Sequence, residues 1–205
     1  STIHTGGDEV PEGVWTDSPR CRAFVDSSSS VASMEELPEY FLQRVDQIFS
    51  DRGLTLSGWE EIGLIESEEE GEAIKAPNPA FVDDEFRLYA WNSVWGWGGE
   101  ENGYRLANAG YPVVLCNASN LYFDLAYNKD PEEIGYYWAG FVDTRAVWEF
   151  APLNLYLGAE LDLMGNPLPP DRYRDAERLT RQGVGNVLGI QGQLWSENIK
   201  SVQVL

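Results

Sequence analysis

Five short apolar runs read as β-strands: STIHTG (1–6), LTLSGW (54–59), RLYAWN (87–92), PVVLCNA (112–118) and NVLGIQGQLW (186–195). Helical signals lie between them, and this alternation is what most limits the fold. Residues 33–53 carry Leu37, Phe41, Val45 and Ile48 on one predicted helix face, Ser33 and Glu36 as a capping box, and Gly53 as a stop. Residues 100–110 predict a shorter helix with acids in its first turn and Gly110 after its last. Residues 171–183 predict a third, starting at Asp171 and stopping at Gly183. The predicted order is strand, helix, strand, unassigned connection, strand, helix, strand, long insertion, helix, strand. Such a sequence of elements forms an α/β fold, a parallel sheet with helices outside it.

The insertion, 121–170, is aromatic and contains proline; a connection that long inside a compact domain is more often functional than passive. The acidic stretch ESEEEGE at 66–72 reads as a solvated loop. Lys plus Arg number 14 against 34 Asp plus Glu, a formal charge of −20. Such a surface repels phosphate backbones, which argues against nucleic acid as a partner. No run of 18 apolar residues predicts a membrane span. No basic stretch leading into an apolar run opens the chain, and Ser1 reads as a cut end. Cys21 and Cys116 have no metal spacing and read as packed residues.

Each strand-like run ends in a distinctive group: Asp8 and Glu9; Trp59 with Glu60 and Glu61; Trp91 and Asn92; Tyr122 and Asp124; Trp195 and Glu197. In a parallel α/β sheet or barrel the carboxyl ends share one face, where active sites form. Indole walls with a few placed carboxylates suit a sugar, whose C–H faces pack on rings and whose hydroxyls need acceptors. Asp8 and Glu9 are neighbours, so in a regular strand they would point to opposite faces. They serve one site only if the strand ends or turns there, which Gly6 and Gly7 permit. His4, the only histidine, reads as a packed, hydrogen-bonded strand residue. Trp95 and Trp97 either rim the cleft or pack beneath its loop.

The motifs HTGGDEVPEGVW with SPRC, GWEE, YAWN, LYFDLAYNKDPEEIGYYWAG and GIQGQLWSE resemble, in order and spacing, the β-N-acetylhexosaminidases of glycoside hydrolase family 20, particularly their bacterial chitobiase-like branch. GGDE also occurs in a nucleotide-cyclase signature, but the indoles at the other strand ends offer nothing to a phosphate. The resemblance covers almost the whole chain. It implies a partial TIM (β/α)8 barrel: residues 1–205 would be the C-terminal portion of one catalytic domain, strands four to eight, ending inside the eighth helix.

The resemblance also implies roles. The family is a substrate-assisted exception among glycosidases, in which the sugar's 2-acetamido carbonyl attacks the anomeric carbon. Glu9 would be general acid and then base, and the repulsion between neighbouring carboxylates favours a proton on it. Asp8 would orient the acetamido N–H, and Tyr122 would bond the acetamido oxygen. Trp59, Trp91 and Trp195 would wall the pocket, Asp124 and Glu197 would accept hydroxyls, and Trp138 would stack on the next sugar. The implied partner is an oligosaccharide containing N-acetylglucosamine; no cofactor and no metal are implied. The family's glycon-gripping arginine and supporting Asp–His pair would lie outside this chain. A non-catalytic GlcNAc-binding remnant is therefore the alternative function. Open barrel edges predict self-association. Location stays open, with a periplasmic or secreted parent implied by the resemblance.

Overall fold

A computed structural model describes residues 1–69, 72–84, 86–169, 171–198, 201 and 202. The chain runs through β1 (Thr2–His4), α1 (Pro19–Ser27), α2 (Leu37–Ser50), β2 (Thr55–Trp59), β3 (Leu64–Glu69) and β4 (Glu72–Pro77). It continues with β5 (Arg87–Ala90), α3 (Asn102–Ala109), β6 (Val113–Leu115), α4 (Ala118–Leu121), α5 (Thr144–Trp148), α6 (Arg181–Asn186) and β7 (Val187–Ile190). The main sheet has five strands in the order β1-β2-β5-β6-β7, every pair parallel. All five predicted strands are present, and their sequential order is that of an arc of a barrel.

The core lies between this sheet and α3. Leu56, Leu88, Val113 and Leu115 of the strands meet Tyr104 and Leu106 of α3, all at most 1% exposed. Each such large apolar side chain contributes about 1.5–3 kcal/mol by leaving water. Gly110 closes α3 at φ +117°, a left-handed position that suits glycine. Tyr104 ties the long insertion to this core: its hydroxyl donates to the Pro152 carbonyl and accepts from the Leu155 N–H, both at 2.9 Å.

Several expectations are corrected. The acidic stretch is not a loop: residues 66–69 and 72 belong to the antiparallel hairpin of β3 and β4, and residues 70 and 71 lie outside the described residues. Glu66 faces Lys75 across that hairpin, an opposite-charge pair that favours the register. The capping box does not form; α2 starts at Leu37 with no side-chain cap, and Glu36 instead accepts the Ala32 N–H at 2.8 Å. The core-facing side of α2 is Leu42, Val45 and Phe49, whereas Phe41 and Ile48 are 52% and 45% exposed.

The helix expected at 171–183 does not form, and only Arg181–Asn186 is helical, capped by Thr180, whose side chain accepts the Gly183 N–H. Competing partners take backbone groups of the preceding segment, which runs through turns and irregular chain. Asn108 donates to the Arg178 carbonyl and accepts the Thr180 N–H, while the Tyr156 hydroxyl donates to the Glu177 carbonyl. The Arg178 guanidinium lies 3.8 Å over the Tyr156 ring. Helix α1 was not anticipated, although Ser18 as N-cap and Pro19 at the first position are its ordinary signals. Both cysteines are free, Cys116 buried and Cys21 half-buried. Among the described residues no helix is long and apolar enough to cross a membrane. The expected final helix at Leu205 lies outside the described residues.

Candidate active site

The backbone ladder continues past the strand ends and laces the following loops together. Thr5 donates to the Ser57 carbonyl at 2.9 Å and Trp59 to the Gly6 carbonyl at 3.0 Å. Ala118 donates to the Trp91 carbonyl at 3.0 Å, and Phe123 to the Gln193 carbonyl at 2.8 Å. Neighbouring strand-end loops are thus fixed to one another at the carboxyl face.

At that face opens a cleft of about 450 Å³. Asp8, Glu9, Trp59, Trp91, Tyr122, Asp124, Trp138, Trp195 and Glu197 all line it, so every candidate residue named from sequence meets in one place. Trp97 and Tyr136 line it as well.

Asp8 and Glu9 reach one cleft because regular strand ends at His4. Gly6, Gly7 and Glu9 then take φ of +73°, +96° and +45°, so the chain turns instead of alternating. Gly7 is also required sterically: a Cβ there would stand 2.2 Å from Cγ2 of Ile62. Glu9 in a left-handed conformation is backbone strain at the residue expected to move the proton.

The rings form a continuous wall. Trp59 meets Trp195 at 6.0 Å between centroids, Trp195 meets Tyr122 at 6.0 Å, and Tyr122 meets Trp138 at 5.8 Å. Trp138 in turn contacts Trp91 edge-on and stacks on Trp97, both at 6.0 Å. Trp59 is 9% exposed and Trp195 38%, so the wall runs from a buried floor to an open rim. Trp97 therefore rims the cleft, whereas Trp95 packs beneath the loop against Tyr156 and Tyr173.

Burial pushes the Tyr122 hydroxyl above its usual range, so it stays a donor. Burial also raises Asp124, with Glu197 nearby adding to the effect, while the Trp195 N–H opposes it. His4 is more exposed than expected; its Nδ1 accepts the Gly6 N–H at 3.2 Å and its ring sits 4.9 Å from those of Trp59 and Tyr89.

Glu60 and Glu61 were left without a role by sequence reasoning, yet both are tied to the cleft. Glu60 is 2% exposed and accepts the backbone N–H of Trp91 at 2.9 Å. Glu61 accepts the Trp91 indole N–H at 3.1 Å. Tyr136 stands two positions before Trp138 in the aromatic run YYWAG, but Trp138 lies in a turn, so no strand period marks the two as neighbours.

A sequence model described as the catalytic domain of glycosyl hydrolase family 20 matches residues 1–205. A beta-hexosaminidase from Vibrio vulnificus is 36% identical over 202 residues, covering 97% of this chain and 22% of that protein. An N,N'-diacetylchitobiase from Vibrio harveyi is 30% identical over 192 residues, covering 91% and 20%. The chain thus spans about a fifth of the length of the curated relatives it matches. Among solved structures, a GH20 exo beta-N-acetylglucosaminidase from Vibrio harveyi, in complex with N-acetylglucosamine, superposes with a TM-score of 0.66 at 27% identity, over 98% of this chain and 25% of that one. The fold is accordingly that of a TIM-barrel catalytic domain, of which the parallel sheet is a part.

Proposed function

Because the chain belongs to glycosyl hydrolase family 20, we propose that it carries the acid pair and the aromatic wall of an exo-acting β-N-acetylhexosaminidase. In this reading residues 1–205 are the C-terminal portion of a single (β/α)8 catalytic domain. Strands β1, β2, β5, β6 and β7 are its fourth to eighth, and 121–170 is an insertion after the fourth strand present.

Glu9 protonates the leaving glycosidic oxygen as the sugar's acetamido carbonyl oxygen attacks the anomeric carbon, and the bond to the leaving group breaks. Asp8 accepts the acetamido N–H and balances the positive charge of the oxazolinium intermediate. Tyr122 donates to the acetamido oxygen and holds it in line for attack. Glu9, now ionised, takes a proton from water, which adds to the anomeric carbon as its bond to the acetamido oxygen breaks, with net retention. Trp59, Trp91 and Trp195 pack on the glycon, Asp124 and Glu197 accept its hydroxyls, and Trp138 stacks on the following sugar. The substrate class is a chitooligosaccharide or glycoconjugate ending in N-acetylhexosamine.

One observation carries this reading: adjacent acids from the end of β1 share a single cleft with indoles from the other strand ends. The test is turnover of a chromogenic N-acetylglucosaminide by the chain and by Glu9→Gln, alongside GlcNAc binding followed by tryptophan fluorescence. Turnover that falls by about 10²–10⁴ in the variant supports the enzyme. Binding without turnover in either protein assigns the chain to sugar recognition alone. Neither binding nor turnover overturns the reading.

We further infer that the chain self-associates through its outer strands. Among the described residues β1 and β7 each pair on one side only, and Leu188 and Ile190 of β7 are 52% and 53% exposed.

A further inference from the structure

The sugar reading gives Glu61 no task, although its surroundings are specific. Its two oxygens accept the indole N–H of Trp91 at 3.1 and 3.3 Å. The preceding Glu60 accepts the backbone N–H groups of Trp91 and Asn92 at 2.9 and 3.3 Å. A dipeptide at the end of β2 therefore grips a tryptophan of the neighbouring strand by its main chain and by its ring.

An indole has a single N–H donor. With the backbone anchored at one end and that N–H at the other, the ring has one available orientation. A carboxylate is the stronger choice of acceptor, because a hydrogen bond to an ionised oxygen is roughly twice as strong as one between neutral groups. The oriented ring meets Trp138 edge-on at 72°, and Trp138 meets Tyr122 edge-on at 80°. The contact chain from Glu61 thus ends on the hydroxyl-bearing ring assigned to the acetamido oxygen.

We propose that Glu61 is a positioning residue of the cleft: by holding the Trp91 indole it fixes the plane of that wall and, through Trp138, the seat of Tyr122. The proposal rests on the reading of the cleft as an N-acetylglucosamine site, and its test separates the two. Glu61 lines a second cavity of about 630 Å³, which Glu9, Lys75 and Trp91 also border. It does not line the sugar cleft itself, which is why the role is positioning and not catalysis.

The measurement is an indole N–H spectrum of the chain labelled with nitrogen-15, whose eight tryptophans are few enough to resolve. Trp91→Phe identifies the Trp91 resonance. Glu61→Leu is expected to move that resonance to the position of an unbonded indole and to weaken GlcNAc binding about tenfold, the size of one lost charge-assisted bond. Glu61→Gln keeps an acceptor oxygen and should hold the resonance near its place, with affinity within about threefold of the parent. In a Trp91→Phe background, Glu61→Leu should cost nothing further, because the indole N–H it would release is already gone; if Glu61→Leu does not fold, Glu61→Ala replaces it in both backgrounds with the same expectation. An unmoved Trp91 resonance in Glu61→Leu, unchanged affinity, or fully additive losses in the cycle would each overturn the proposal. If the parent chain binds no GlcNAc, the reading of the cleft fails, and the resonance alone still decides whether Glu61 holds the ring.

Discussion

The backbone N–H of Trp195 donates to Oδ1 of Asp124 at 3.1 Å. The loop after β6 thereby anchors the main chain that carries the Trp195 indole, and Asp124 also lines the cleft. Asp124 consequently has two separable tasks. Asp124→Asn keeps an oxygen for Trp195 and loses the charge, so GlcNAc affinity should drop about tenfold with the Trp195 emission unchanged. Asp124→Ala should lose more affinity and also shift that emission, because the indole is released. Calorimetric titration and fluorescence on the two variants check this; equal losses with identical emission would leave Asp124 a single role.

Gly7→Ala is expected to destabilise the chain by about 1–3 kcal/mol through its strained φ alone. The Ile62 side chain, which the new Cβ would strike, adds to that loss. Gly53 provides the control, since its φ is +65° with nothing within 4 Å of an added Cβ. Gly53→Ala should cost only the conformational part, about 1 kcal/mol. Urea unfolding midpoints at constant m-value give both figures, and equal costs would remove the Ile62 contact from the argument.

The sheet was legible because its strands fall in short apolar runs separated by helical and turn signals. Most of the cleft was legible because its residues follow closely on those strand ends, whereas Trp138, inside the insertion, was reached through the family resemblance. What failed was decided by distant partners. Residues 171–180 have a helical pattern, but Asn108 and Tyr156, remote in sequence, take the backbone groups a helix needs. The hairpin of β3 and β4 was hidden because its first strand is a run of acids with no apolar alternation to mark it. Glu60 and Glu61 stood beside a named tryptophan, yet their partner belongs to the neighbouring strand, and nothing local announces that pairing.

Self-association should appear as a rise in mass with concentration by light scattering. Leu188→Lys, which puts a charge on the exposed outer strand, should restore the monomer without altering GlcNAc affinity. A monomer mass that holds across the whole concentration range would count against pairing at these edges.

Glu60 sets a pH dependence of stability whose sign follows from its burial. Burial, foremost, pushes its carboxyl from 4.5 up to about 8, and the Glu61 charge adds to this; hydrogen bonds from Asn102, Asn92 and Trp91 pull the other way. Below 4.5 the folded and unfolded chains both hold the proton, and the group contributes no slope. Between 4.5 and about 8 the folded chain keeps the proton while the unfolded chain has released it, so stability from this group falls as pH rises. Above that window both states are ionised and the cost of the buried charge is fully expressed. Glu60→Gln is neutral throughout. Its carbonyl oxygen can accept from Trp91 and Asn92; Asn102, whose Nδ2 donates to Glu60 at 2.8 Å, has only to turn its amide over for Oδ1, which has no partner among the described residues, to accept from the new side chain. Urea unfolding from roughly pH 5 to pH 8 should therefore give a flatter stability profile for the variant than for the parent, with the two diverging most at the alkaline end. Parallel profiles would show that Glu60 titrates alike in both states, and the buried carboxyl would then have to be ionised from the start.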